Sequence, residues 1–186
     1  WIQYQTYDMG NIAPGRHRLA FELGNGWYKG RFGLGQKAGV YGDRFAAIAE
    51  LRILYIDGSE EVIGTDSSWR AVRSRILESG IYDGEVFDAT ASPGQEFNVL
   101  PAGIGRERLQ ARLSPPITVH ERLRPVAILR TPAGETVLDM GQNMVGWMEF
   151  RCVAPAGTRI VLTHGEILQE ENFYRENLRT AAARFI

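Results

Sequence analysis

The sequence predicts an all-β protein, arranged as one β-sandwich followed by part of a second. Three observations carry that expectation. Apolar residues recur with period two along much of the chain, the pattern of strands with one covered face. Glycine and proline, 21 and 8 of 186 residues, punctuate those runs, which favours turn-rich β structure over a helical bundle. A proline-rich stretch at 92–116 then separates two sets of strand signals.

The elements follow in order. Ile2–Tyr7 alternates, and Asn11, Pro14 and Gly15 supply turn chemistry after it. Arg16–Leu23 alternates more clearly, with Leu19, Phe21 and Leu23 on one face. Phe45–Ile56 is a long apolar run in which Ala49, Leu51, Ile53 and Tyr55 point one way. Asp57-Gly58 signals a tight hairpin, with Glu61–Ile63 as the returning strand. Trp69–Arg73 alternates apolar with basic residues. Each apolar face needs a second sheet to cover it, hence a sandwich.

The stretch at 92–116 holds four of the eight prolines. Within it, Arg106–Leu113 fits either a short helix or an edge strand. After Pro115-Pro116 the expected strands are Ile117–Leu123, Val126–Arg130, Thr136–Met140, Trp147–Val153 and Arg159–His164. Pro-Ala-Gly recurs at 132–134 and 155–157 as a turn. Leu168–Phe185 reads as partly helical. These signals divide the chain into units 1–114 and 117–186.

Composition excludes several functions. With 21 basic against 22 acidic residues the net charge is −1, so no basic excess exists to hold a phosphate backbone, and no nucleic-acid partner is expected. No apolar run approaches the roughly 20 residues of a membrane span, so no membrane partner is expected either. The lone Cys152 leaves no intrachain disulfide and no all-thiolate metal site. Trp1 without an initiator methionine, and the apolar AAARFI at 181–186, suggest a piece of a longer protein. The compartment is therefore not legible.

The chemistry-bearing residues are few. Gly30–Gly42 is glycine-rich, but its spacing fits neither a dinucleotide fingerprint nor a P-loop, and a β-connection accounts for it. His17, His120 and His164 lie far apart, without zinc-ligand spacing. His164 draws notice within Thr-His-Gly-Glu at a strand end, yet no nucleophile elbow accompanies it. The one carboxylate cluster is Asp83, Glu85 and Asp88. On a strand, Asp83 and Glu85 would point the same way about 6.6–6.8 Å apart. A catalytic pair must face across a sugar, so parallel neighbours suit an oxygen-ligand cation site, such as calcium, or a solvated turn. Sugars stack on aromatic faces and bond to Asn, Asp and Glu. Asn25, Trp27 and Tyr28 beside Gly24 and Gly26 offer that chemistry, although Trp27 equally suits the end plug of a sandwich core. The 19 Arg against 2 Lys fit carboxylate or hydroxyl recognition, though coding bias explains the ratio more cheaply.

Six phrases in fixed order carry a resemblance: Leu19–Arg31, Tyr41–Arg44, Asp57–Trp69, Ile76–Asp88, Asp139–Trp147 and Leu162–Arg179. Together they resemble the amino-terminal accessory portion of bacterial α-L-rhamnosidases, which are inverting glycoside hydrolases. The resemblance covers nearly the whole chain. It implies a jelly-roll, galactose-binding-like sandwich up to about residue 114 and the start of another β-domain from about 117. It also implies a downstream (α/α)6 catalytic barrel in the same polypeptide, with no catalytic residue in this chain. No cofactor is required on this reading, calcium is an option, and a rhamnose-containing glycan is a candidate partner. The implied carbohydrate surface is Asn25, Trp27, Tyr28, Asp83 and Glu85. No metal ligands can be matched.

Overall fold

A computed structural model describes residues 2–33, 37–92, 94–178 and 182–186. The first elements are β1 (Ile2–Tyr4), the one-turn helix α1 (Gly26–Lys29), β2 (Arg31–Phe32), β3 (Lys37–Ala38), β4 (Glu50–Leu54), β5 (Glu60–Gly64) and β6 (Arg70–Ala71). Next come β7 (Ile76–Gly80), β8 (Gly84–Phe87), β9 (Phe97–Asn98) and β10 (Leu109–Ala111). The remainder holds β11 (Ala127–Arg130), β12 (Thr136–Asp139), β13 (Ile160–Thr163), β14 (Ile167–Gln169), β15 (Asn172–Tyr174) and β16 (Ala182–Phe185). The all-β class is as expected.

The largest sheet has the order β13-β16-β8-β7. Its β8 and β16 run parallel, while β7–β8 and β13–β16 are antiparallel. Strands from both sides of the proline-rich stretch thus share one ladder. The other pairs are β1–β10, parallel, and the antiparallel β2–β3, β4–β5, β6–β9, β11–β12 and β14–β15. At the β8–β16 seam Ala182 is 4% exposed and every β8 residue is half-buried.

Local chemistry explains the hairpins. Gly58 takes φ +86, Tyr55 N–H donates to Ser59 O at 2.9 Å, and Asp57 Oδ1 accepts from Ser59 N–H and Oγ–H at 2.9 and 2.6 Å. That closes β4–β5 at the Asp-Gly signal. Both Pro-Ala-Gly segments are turns: Gly134 and Gly157 take φ +85 and +81. Arg106–Arg108 forms a 3-10 turn and Leu109–Ala111 a strand, so the open choice resolves as both in sequence.

Three alternating segments do not become strands. Residues 16–23, 117–123 and 147–153 lie outside every ladder. Alternation supplies an apolar face, but a strand also needs a partner edge for its backbone groups. Phe21 uses its face differently, stacking on Trp69 with centroids 5.6 Å apart.

The expected helical character of Leu168–Phe185 is corrected. The segment holds the β14–β15 hairpin and β16. Glu170 and Glu171 both take left-handed φ, 49° and 63°, a two-residue reversal that ends any helix. Farther on, β13 and β8 flank β16 on both edges, and that pairing overrides the helix propensity of its alanines. Residues 179–181 of that segment, Trp1 and residues 34–36 of the glycine-rich stretch lie outside the described residues.

Candidate carbohydrate site

Helix α1 is one turn long, and glycine sets its bounds. Gly26 takes φ +51, Lys29 N–H donates to Asn25 O at 3.1 Å, and a Cβ on Gly30 would overlap the Gly26 carbonyl. The turn projects neighbouring aromatics outward. Trp27 is 54% exposed and Tyr28 49%. Asn25 is half-buried and its side chain makes no capping bond.

The β7–β8 turn, residues 81–83, meets this helix. Trp27 and Tyr82 pack edge to face with centroids 6.2 Å apart at 83°. Arg31 Nη2 donates to Asp83 Oδ1, an ion pair with side chains 39% and 29% exposed. The hydrogen bond and charge of Asp83 hold the Arg31 guanidinium above its ordinary pKa. A Cβ on Gly24 would sit 3.0 Å from Ser79 Oγ, so the strand before the turn also touches the approach to α1.

Three further contacts hold the helix. The Tyr28 phenol lies over Gly42 so closely that a Cβ there would overlap its ring. Lys29 Nζ stands 4.0 Å from the Phe45 ring centroid, a cation–π contact. Lys29 O also accepts from Gly39 N–H at 3.0 Å.

The structure therefore gathers Trp27 and Asp83, with Asn25 and Tyr28 on the same short turn. Glu85 is half-buried within β8, with Ser79 and Ala183 as its register partners. The expectation that Asp83 and Glu85 share one face of a strand fails at Asp83. That residue belongs to the turn, because Gly84 at φ +80 begins the strand one residue later. Arg31 is the member that residue-by-residue reading did not single out, whereas Tyr82 is one of the sequence's candidate sugar-stacking aromatics, with Trp27, Tyr28, Trp69 and Trp147. Arg31 stands at the end of the Leu19–Arg31 phrase, and Tyr82 directly precedes Asp83.

Among the described residues no three His, Cys, Asp or Glu side chains converge as a metal-binding group. Asp83 is engaged by Arg31, and Asp88 Oδ1 accepts from Thr90 N–H and Oγ1–H at 2.8 and 2.6 Å. The histidines stay scattered. His17 Nε2 is 2.8 Å from Ala13 O, His120 Nε2 is 3.4 Å from Thr118 Oγ1, and His164 O accepts from Arg175 Nε–H at 3.2 Å. The described flanks of the glycine-rich stretch, β2 and β3, pair Arg31 with Ala38 and Phe32 with Lys37. Among the described residues no helix is long and apolar enough to cross a membrane.

Known proteins place these features in a family. The model for the alpha-L-rhamnosidase N-terminal domain matches residues 1–121. That for the bacterial alpha-L-rhamnosidase concanavalin-like domain matches residues 129–186. An alpha-L-rhamnosidase of Streptomyces avermitilis is 35% identical over 98% of this chain and 19% of its own length. One from an Alteromonas species is 27% identical over 97% of this chain and 21% of its own length. Two crystal structures align with TM-scores of 0.76. One is the native rhamnosidase of Aspergillus terreus, 31% identical over 88% of this chain and 20% of that one. The other is the S. avermitilis enzyme complexed with L-rhamnose, 33% identical over 86% of this chain and 17% of that one. The chain spans about a fifth of the length of the curated relatives it matches. With its β-sandwich class shared by those structures and two thirds of its residues under one family model, the chain belongs to the alpha-L-rhamnosidase N-terminal domain family.

Proposed function

We propose that this chain is a non-catalytic accessory segment of an α-L-rhamnosidase that releases terminal α-L-rhamnose from glycosides or polysaccharides. The observation that carries the reading is coverage: relatives named as rhamnosidases match nearly all of this chain with about a fifth of their length. A downstream (α/α)6 barrel supplies the general acid and base of an inverting hydrolysis. The segment, divided near 114–116 into one β-sandwich and part of a second, supports that barrel and positions it. Removing residues 1–186 from the full-length protein tests this reading. Loss of folded stability together with turnover supports it, and an unchanged melting temperature with full turnover overturns it.

A second reading is an independent L-rhamnose-binding module, with calcium as an optional partner. It is favoured by the exposed Trp27 indole beside the Arg31–Asp83 pair, an apolar face next to groups that bond hydroxyls. Calorimetric titration of the chain with L-rhamnose, in calcium and then in chelator, separates the two. Calcium-dependent heat that disappears in Trp27→Ala or Asp83→Ala supports the module, and a flat trace in both buffers removes it.

A further inference from the structure

A second surface lies away from the sugar-like site. Phe87 and Phe185 are register partners across the parallel β8–β16 seam, with ring centroids 6.3 Å apart. Phe150 stands edge-on to Phe185 at 5.0 Å and 78°. With Met148 and Glu149 these three rings line an open groove of about 340 Å³. Its one charged wall residue is ion-paired, since Arg122 Nε donates to Glu149 Oε2 at 2.9 Å. The groove thus fits an occupant that presents apolar side chains.

The surroundings call for such a cover. Val145, Trp147 and Val153 in the flanking segment are 105%, 65% and 97% exposed. Exposed apolar side chains next in sequence to an apolar groove suit a contact surface. Backbone geometry says where a continuing polypeptide would run: Ile186 N–H donates to Phe87 O at 2.9 Å, and Ala89 N–H donates to Ile186 O at 2.8 Å. Residue 186 therefore sits beside Phe87, at the rim of the groove. The relatives carry about four fifths of their length outside the matched region.

We infer that the Phe87–Phe150–Phe185 groove is the seat of the polypeptide that follows this segment in the full-length protein. The inference rests on the accessory reading and adds the docking surface to it. The test compares the 186-residue chain with the full-length protein, both carrying Phe150→Cys and Cys152→Ser. Maleimide labelling is expected to be about tenfold slower or more in the full-length protein, as for a covered site. Equal rates overturn the inference, and so does slowing that grows with protein concentration, which marks a second copy as the cover. Hydrogen exchange of unmodified residues 147–153 gives the same comparison without a variant: added protection in the full-length protein supports docking, and equal exchange overturns it. Turnover of an aryl α-L-rhamnoside by the full-length protein reports separately. Turnover with an unprotected groove refutes the docking alone, and protection without turnover refutes the activity alone.

Discussion

Gly84 and Ala182 face each other across the parallel β8–β16 seam so closely that a Cβ on Gly84 would overlap the Ala182 backbone. Gly84 also takes φ +80, a conformation that side chains resist. One glycine thus lets a strand from the last quarter of the chain join the β7–β8 hairpin.

Gly84→Ala is therefore expected to separate β16 from β8, costing about 2–5 kcal/mol from backbone strain and steric overlap. Urea unfolding measures the loss, and hydrogen exchange at Ile186, whose amide bonds to Phe87 O, reports the seam itself. Unchanged protection there would show that the close approach is not needed.

The Thr131 hydroxyl ties two hairpins together. Thr131, 7% exposed, donates to Glu135 Oε2 at 2.8 Å and accepts from Glu135 N–H at 3.1 Å. The same carboxylate oxygen accepts from Phe173 N–H at 3.0 Å, and Asn172 Oδ1 accepts from Ala133 N–H at 2.9 Å. Thr131→Val leaves the Glu135 amide unpaired and frees its carboxylate. The expected cost is about 1–3 kcal/mol, with faster exchange of the Phe173 amide than in the parent chain.

Tyr28 depends on Gly42 for its position. In Gly42→Ala the added methyl overlaps the phenol, so the half-exposed ring must swing away from its packed position over the backbone. A cost of only about 0.5 kcal/mol is expected, with a changed near-ultraviolet dichroism spectrum. An unaltered spectrum would mean that the ring does not rest on Gly42 in solution.

Acid should weaken the chain through three turns of one design. Asp57, Asp66 and Asp88 each accept from the side-chain hydroxyl and backbone N–H two residues on, at Ser59, Ser68 and Thr90. These bonds, the hydroxyl's first, hold the carboxyls below their ordinary value of 3.8. A lowered folded-state pKa contributes stability above that ordinary value, and the contribution is lost as pH falls through the depressed one. Urea midpoints are expected to drop below about pH 4. The combined Ser59→Ala, Ser68→Ala and Thr90→Val variant should show a shallower drop.

Much of this was legible in the residues, and the exceptions have physical causes. Asp57-Gly58 and Pro132-Ala133-Gly134 encode their turns locally, through an Asx bond or a positive φ, so no distant partner is needed. The Glu170-Glu171 reversal lacks the usual glycine or asparagine at its two positions, and so leaves no such mark. Arg16–Leu23 and Trp147–Val153 alternate like strands, but ladder formation depends on an edge that a single sequence does not reveal. At the candidate site, the aromatic and glycine spacing pointed to Trp27 and Tyr28. The Arg31–Asp83 pair joins residues 52 apart, and Tyr82 reaches Trp27 only because the β7–β8 turn folds against α1. Long-range pairing of that sort has no periodicity to read.

The central claim is that catalysis lies outside these 186 residues. The most direct measurement is release of the chromophore from an aryl α-L-rhamnoside by the purified chain and, alongside it, by the full-length protein. The account predicts turnover by the full-length protein and none by the chain. Turnover by the chain itself, freed of host enzymes and lost on heat unfolding, would contradict it.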